Sequence, residues 1–211
     1  MKTLVQCDFD GTITEVDASF LILEDFAQGN WCQVLQEHRA HKISVGEFNA
    51  RAFAMVRADE QTLLRAIKRR VSIRPGFREL VTYCAKRNFR LVIVSNGLDF
   101  YIQALLANCG LGEIEWHAAK TCFEGGNMRV QYIGPDGKVL EDAFKEAYVK
   151  LFLEQGYRVI YAGNGDSDII PARYVHHVFA RGELLSYYHS KRLKCIPFED
   201  FTEVIKEMDL L

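Results

Sequence analysis

Three things are missing from this chain. It has no apolar run near the roughly 18 residues that a membrane helix needs, so no bilayer span is expected. It has no Cys-x-x-Cys pair; Cys7, Cys32, Cys84, Cys109, Cys122 and Cys195 are scattered. That scatter argues against a disulfide framework or zinc site and for reduced, mostly buried thiols in a cytoplasmic protein. It also lacks an excess of charge of either sign. With 26 basic and 28 acidic residues the formal charge is −2, which gives no electrostatic case for a nucleic acid or membrane partner. Nor do the first residues read as a signal peptide, because Asp8 and Asp10 interrupt any apolar core. What is present is a chain of 211 residues, 49 % of them apolar, which suffices for one substantial core and a small accessory domain.

The most informative segment is Cys7-Asp8-Phe9-Asp10-Gly11-Thr12-Ile13-Thr14. Two carboxylates stand two apart directly after the apolar Leu4-Val5. If residues 3–9 form a buried strand, the chain turns at Gly11 and the strand's C-terminal end presents both acids. One acid can then attack while the other handles a proton, an arrangement suited to covalent catalysis through an aspartate. The plain alternative is a turn, since Asp-Gly is common in turns. A calcium loop of the EF-hand type fails, because its fifth and twelfth positions would be Thr12 and Ser19.

Further strand-like runs occur at 90–94, 158–162 and 178–180. The first two end in Ser95-Asn-Gly and Gly163-Asn-Gly-Asp. Helical spacing over 76–86, 99–109 and 142–155 separates them. This alternation predicts an α/β fold: a Rossmann-like parallel sheet with helices on both faces, the polar strand ends converging on one site. Residues 16–72 break the rhythm with four consecutive helices, over 19–28, 30–38, 44–56 and 59–70. Ser44 with Glu47 suggests a capping box there, and Asp59 an N-cap. So long an insert predicts a helical cap domain (16–72) above a core of 1–15 and 73–211, unless the helices simply pack on the sheet. Residues 116–140 read as an irregular hairpin with turns at Glu124-Gly-Gly-Asn127 and Gly134-Pro-Asp-Gly137.

Asp8-Phe-Asp-Gly-Thr, Ser95-Asn96-Gly97, a lysine and the Gly-Asn-Gly-Asp-Ser-Asp run resemble, in that order, the four motifs of the haloacid dehalogenase superfamily, mostly magnesium-dependent phosphatases. The resemblance implies an inserted helical cap of the phosphoserine phosphatase-like branch. A finer likeness, on Arg51-Ala-Phe53, Ile73-Arg-Pro-Gly-Phe-Arg78, Ser95-Asn-Gly-Leu-Asp-Phe100, Phe179-Ala-Arg181 and Pro197-Phe-Glu-Asp-Phe201, is to the 2-hydroxy-3-keto-5-methylthiopentenyl-1-phosphate phosphatases of methionine salvage. It implies that Asp8 attacks phosphorus to give an aspartyl-phosphate. Asp10 then protonates the leaving alcohol and later takes a proton from the hydrolysing water. Ser95, the backbone N–H groups of Asn96 and Gly97, and Lys145 bind phosphate. Mg2+ takes hard oxygens from Asp8, the Asp10 carbonyl, and the fourth motif.

Two places leave alternatives. Lys145 has the family-like position among lysines, against Lys138 in a turn and Lys150 one helical turn on. In the fourth motif the usual metal-binding aspartate falls, without gaps, on Asn164, with Asp168 closing the motif; Asp166 would serve only if the loop shifts. For substrate contact the cap offers Asp17, which is equally a helix cap, and Arg51, with Arg57 nearby. The expected partner is a small phosphorylated metabolite, and the protein a monomer or homodimer. Rival readings are a phosphoserine phosphatase, a phosphotransferase using the same intermediate, and a catalytically impaired phosphate-ligand-binding protein, the last resting on Asn164.

Overall fold

The computed structural model describes residues 2–125 and 127–211. Strand β1 (Lys2–Cys7) is buried from Thr3 to Cys7, with no alternation, as befits a central strand covered on both faces. It is followed by α1 (Ala18–Phe26), α2 (Trp31–Arg39), α3 (Val45–Phe53) and α4 (Glu60–Arg70). Asp17, Asn30, Ser44 and Asp59 each accept a backbone N–H three residues on, so all four helices open on a side-chain cap. The alternating part then begins with α5 (Phe77–Arg87), β2 (Arg90–Leu98), α6 (Asp99–Asn108) and β3 (Glu115–Glu124). Next come β4 (Asn127–Ile133), β5 (Val139–Leu140), α7 (Phe144–Glu154) and β6 (Tyr157–Gly163). The chain ends with α8 (Ile169–Ala172), β7 (His177–Ala180), α9 (Gly182–Ser190), β8 (Ile196–Pro197) and α10 (Phe201–Met208).

The eight strands form one sheet in the order β5-β4-β3-β2-β1-β6-β7-β8. From β3 to β8 every pairing is parallel; β4 and β5 add an antiparallel edge. The expected doubly wound α/β class is therefore observed, with a hairpin extension. Its tip, expected at Glu124-Gly-Gly-Asn127, includes Gly126, which lies outside the described residues. Strand β1 has β2 on one side and β6 on the other, which is where strand order reverses and where a crevice opens at the carboxyl ends. Register aligns those ends: Cys7 pairs with both Ile93 and Ala162.

The chain leaves the sheet after Thr14 and returns beside itself. Thr14 bridges Ile73, the Glu15 amide donates to Ser72 O (3.0 Å) and the Arg74 amide to Ile13 O (2.7 Å). Residues of the four helices, among them Leu21, Ile22, Phe48, Phe53, Leu63 and Ile67, belong to the same apolar cluster as Leu4, Val92 and Phe77. Helices α9 and α10 were not expected from the sequence. Asp200 opens α10 by accepting the amides of Thr202 and Glu203. No helix among the described residues is long and apolar enough to cross a membrane.

Candidate active site

After Cys7 the chain makes a tight turn over 9–13, with Gly11 at φ +73°. Only glycine suits that conformation without strain. It also leaves room: a Cβ on Gly11 would lie 2.5 Å from the Asn164 amide. The turn is clamped by two guanidinium groups. Arg74, 7 % exposed, donates to the carbonyls of Gly11 (3.0 Å), Thr12 (2.7 Å), Thr14 (3.0 Å) and Glu199 (3.3 Å). Arg181 donates to Gly11 O at 2.8 Å. Asp8 and Asp10, both buried, are thus carried on a fixed turn at the end of β1.

The structure brings the separated motifs together. A cavity of about 390 Å³ is lined by Asp8, Asp10, Asp17, Ser95, Asn96, Gly97, Lys145 and Asn164. At its floor Lys145 Nζ lies 2.8 Å from Asp8 Oδ1 and 2.6 Å from Asp168 Oδ1, and donates to Ser167 Oγ at 3.0 Å. Lys138 and Lys150, by contrast, are exposed and paired with Asp136 and Glu146. Lys145 sits in the first turn of α7, which packs against β6 and β2. Burial pulls the ammonium toward neutrality, but Asp168 and Asp8 outweigh it, and the group stays charged above its ordinary range. Burial, with Asp168 adding to it, raises the Asp8 carboxyl to about 7 against the pull of Lys145. Burial and then Asp17 hold the Asp10 carboxyl well above the usual range, while Tyr101 and the Ala18 amide pull it back.

Ser95 is fully buried, and its hydroxyl accepts the Gly97 amide at 2.9 Å. That amide, expected to face a phosphate, is engaged by Ser95 in this state. Asn96 O accepts from Tyr132 OH (2.6 Å) and Asn49 Nδ2 (3.2 Å), which ties the loop to β4 and α3, and Asn96 Oδ1 is buried with no partner.

The fourth motif corrects one expectation. Asp168, expected among the metal ligands, has both oxygens occupied: Oδ1 accepts from Lys145 and Tyr161 (2.6 Å each), Oδ2 from the amides of Asn164 and Gly165 (2.9 Å each). It holds the lysine and the loop, and four donors leave it no free face for a cation. Asn164 fills the ungapped position. One end of its amide lies 2.9 Å from Asp10 O, 3.1 Å from Asp8 Oδ2 and 2.7 Å from Thr12 Oγ1. With nothing else between them, two oxygen acceptors require the amide nitrogen there. With a cation between them they require its oxygen, and the spacing suits that too, because neighbouring oxygens around octahedral magnesium are about 2.9 Å apart. Asp166 is exposed at the cavity rim. Among the described residues no three His, Cys, Asp or Glu side chains are grouped to hold a metal. The oxygens that fit magnesium here are a carboxylate, a carbonyl and an amide.

A second correction concerns Arg51. It is exposed and paired with Glu37 (2.8 Å) and Glu47 (3.3 Å), and does not line the cavity. Arg57 turns to the carbonyls of Ala54 and Val56. Asp17 does both things open to it: it caps α1 through Phe20 N (2.9 Å) and lines the cavity. Beyond Asp17 the cavity wall is Phe20, Leu23, Leu35, Val45 and Phe48, with His38 and Arg39. Sequence reading missed Tyr101, Tyr161, Arg74 and Thr12. Tyr101 reads as one more apolar position of α6, and Arg74 finds its partners in a turn some 60 residues earlier.

The chain has relatives among known proteins. The chain is 32 % identical over 205 residues (94 % of this chain, 92 % of that protein) to a 2-hydroxy-3-keto-5-methylthiopentenyl-1-phosphate phosphatase of Geobacillus kaustophilus. It is 27 % identical over 209 residues (97 % and 94 %) to the protein of that name from Brevibacillus brevis. Among solved structures, a phospho-aspartyl intermediate analogue of phosphoserine phosphatase superposes with a TM-score of 0.71, covering 98 % of each chain at 18 % identity, a likeness of fold. The family model described as haloacid dehalogenase-like hydrolase matches residues 5–172, from the strand before Asp8 to the end of α8, and the chain belongs to that family.

Proposed function

We propose that this hydrolase is a magnesium-dependent phosphomonoesterase acting through an aspartyl-phosphate at Asp8, and that its substrate is 2-hydroxy-3-keto-5-methylthiopentenyl-1-phosphate. The observation that carries the reading is the convergence of Asp8, Asp10, Ser95 and Lys145 on one cavity from three separate elements, the β1 turn, β2 and α7. In the first step an Asp8 oxygen forms a bond to phosphorus as the bond to the alcohol oxygen breaks, and Asp10 gives that oxygen its proton. In the second step Asp10 takes a proton from water as the water oxygen bonds phosphorus and the Asp8–phosphorus bond breaks, returning both acids. Lys145 and Ser95 hold the phosphoryl oxygens, the lysine opposing their charge. Magnesium, held by Asp8, the Asp10 carbonyl and Asn164, would screen the dianion from the attacking carboxylate.

The substrate follows from the other end of the cavity. Phe20, Leu23, Leu35, Val45 and Phe48 form an apolar wall that suits an uncharged methylthio tail. Phosphoserine ends in a carboxylate; Arg51, which the cap offers for substrate contact, is paired with glutamates on the outer face, and Arg39 at the cavity wall is the cap arginine left to meet a phosphoserine carboxylate, the alternative that the panel below tests. The reading includes a cap of 16–72 over a core of 1–15 and 73–211, supported by the adjacent departure and return of the chain at Thr14 and Ile73. Six free cysteines support a reducing, cytoplasmic setting.

The test is phosphate release from a panel of phosphorylated metabolites with magnesium, run beside Asp8→Asn. Preference for the methylthio-tailed ester, abolished in the variant, is expected. Phosphoserine as the best substrate would overturn the assignment, and no release from any ester would overturn the enzyme.

A further inference from the structure

General acid catalysis needs the acid in one orientation, within reach of the oxygen it protonates. Asp10 is held from two sides. Its Oδ1 accepts the Ala18 amide at 3.0 Å. Its Oδ2 accepts the hydroxyl of Tyr101 at 2.5 Å. Tyr101 is 0 % exposed, on α6, with Phe100 and Phe9 rings 5.4 and 6.4 Å from its own. Its hydroxyl lies 2.8 Å from Ser19 Oγ, at the start of α1. A buried tyrosine whose only polar atom meets a carboxylate is not explained by packing alone, since phenylalanine would fill the same volume without an oxygen to satisfy.

A second, independent feature protects this contact. A Cβ on Gly97 would lie 2.2 Å from both Asp10 Oδ2 and Tyr101 OH. The C-terminal end of β2 is therefore bare where carboxylate and phenol meet. The β1 turn, the end of β2 and two helices all accommodate this one hydrogen bond.

We propose that Tyr101 is a positioning residue for the reaction, fixing the Asp10 carboxyl in the orientation from which it protonates the leaving alcohol, with Ser19 holding the phenol in turn. The proposal rests on the phosphomonoesterase reading and deepens it. When an Asp8 oxygen bonds phosphorus and the phosphorus–alcohol bond breaks, the electron pair stays on the alcohol oxygen. An alkoxide needs the Asp10 proton as it departs. A p-nitrophenolate leaves without one.

Leaving-group dependence separates this role from a merely structural one. The experiment compares the first, phosphoryl-transfer step of wild type and Tyr101→Phe by rapid quench, with n-butyl phosphate and with p-nitrophenyl phosphate under saturating magnesium. The expected loss is about 10- to 100-fold with butyl phosphate and less than about threefold with p-nitrophenyl phosphate. Half-saturating concentrations should stay within about twofold, since ground-state binding is untouched. Ser19→Ala, which leaves the phenol in place, should show the same selectivity at a smaller size, and it serves if Tyr101→Phe fails to fold. Equal losses on both esters, or none on either, would overturn the proposal. Asp10→Asn is run alongside. If it discriminates between the esters and the Tyr101 and Ser19 variants do not, only the positioning role fails. If Asp10→Asn itself loses nothing on butyl phosphate, the parent reading fails.

Discussion

The cavity has two walls of opposite character. On the sheet side, Asp8, Ser95, Lys145 and Asp168 are all at most 4 % exposed; Lys145 joins Asp8 and Asp168 across the chain, and Ser95 is held by the Gly97 amide. On the helix side, Phe20, Leu35 and Val45 are half-buried, and the wall is made mostly by apolar side chains from α1 to α3, with Asp17, His38 and Arg39 beside them. Directional bonds in low dielectric fix positions; apolar contacts fix only volume. The sheet wall is therefore the part that cannot vary without loss of chemistry. The helix wall can be resurfaced for another substrate while the reaction stays the same.

Removing the lysine tests the first half of that contrast and should give the largest effect. Lys145→Met leaves Asp8 and Asp168 facing each other with no cation between them. Turnover should fall on the order of a thousandfold. Stability should fall by about 3–5 kcal/mol, the cost of leaving buried charges unpaired. Urea unfolding in EDTA and steady-state phosphate release measure the two, and near-wild-type values of both would dissolve the distinction between the walls.

The second half is tested at Leu35. Leu35→Asp places a charge on the apolar wall at a half-buried position. The half-saturating concentration for the methylthio-tailed ester should rise by about 10- to 100-fold, the usual worth of one apolar contact or its loss. Methyl phosphate, which has no tail to reach the wall, should be cleaved as before. A parallel loss on both esters would mean that the helices, too, carry chemistry.

Asn164 sharpens the comparison within the sheet wall, because it is the one neutral group where the family pattern has an acid. Asn164→Asp adds a carboxylate beside Asp8 Oδ2 and Asp10 O. Magnesium should bind about tenfold more tightly, as added ligand charge strengthens such sites, with turnover equal or higher. In EDTA the same variant should unfold at a lower temperature, since the amide's donated hydrogen bonds become carboxylate repulsion. A variant with unchanged metal affinity and much lower turnover would reject the register in which Asn164 faces the cation.

The sign of the pH effect follows from Asp8. Its carboxyl is raised to about 7 by burial first and Asp168 second. The metal-free folded state thus binds a proton that the unfolded chain has released. Stability should fall as pH rises from the ordinary carboxylate range toward 7, by at most about 1.4 kcal/mol per pH unit from this group. Thermal unfolding in EDTA between pH 5 and 7 reads this slope together with one of the same sign from Asp10, and Asp8→Asn should make it shallower by the Asp8 share.

The sequence made one wall far more legible than the other. Asp8, Asp10 and Gly11 are consecutive or nearly so, and their meaning is local: strand, turn, two acids. Lys145 is separable from Lys138 and Lys150 by the family-like position that the resemblance implies, near the start of a helix that leads into β6. The role of Asp168 was misjudged because motif order says which residues gather, not which of them bond each other. Only the fold shows Lys145 and Tyr161 arriving at the same oxygen. Tyr101 is invisible for a similar reason: its partner is 91 residues away, and it sits in the apolar run from Phe100 to Ile102 of its helix.

Arg51 shows the limit most plainly and gives the smallest expected effect. In α3 the buried residues are Phe48, Asn49, Ala52 and Phe53. At 3.6 residues per turn, Arg51 lies about 200° around the helix from Asn49, which lines the cavity. Proximity in sequence to a cavity residue is therefore proximity to the wrong face. Its ion pairs with Glu37 and Glu47 are exposed, and such pairs contribute little. Arg51→Ala should leave turnover and half-saturating concentration within about twofold for every ester that the enzyme cleaves. A large loss confined to a carboxylate-bearing ester such as phosphoserine would mean that α3 rotates to bring Arg51 inward when substrate binds, and the helix wall would then have to be counted as a switching element.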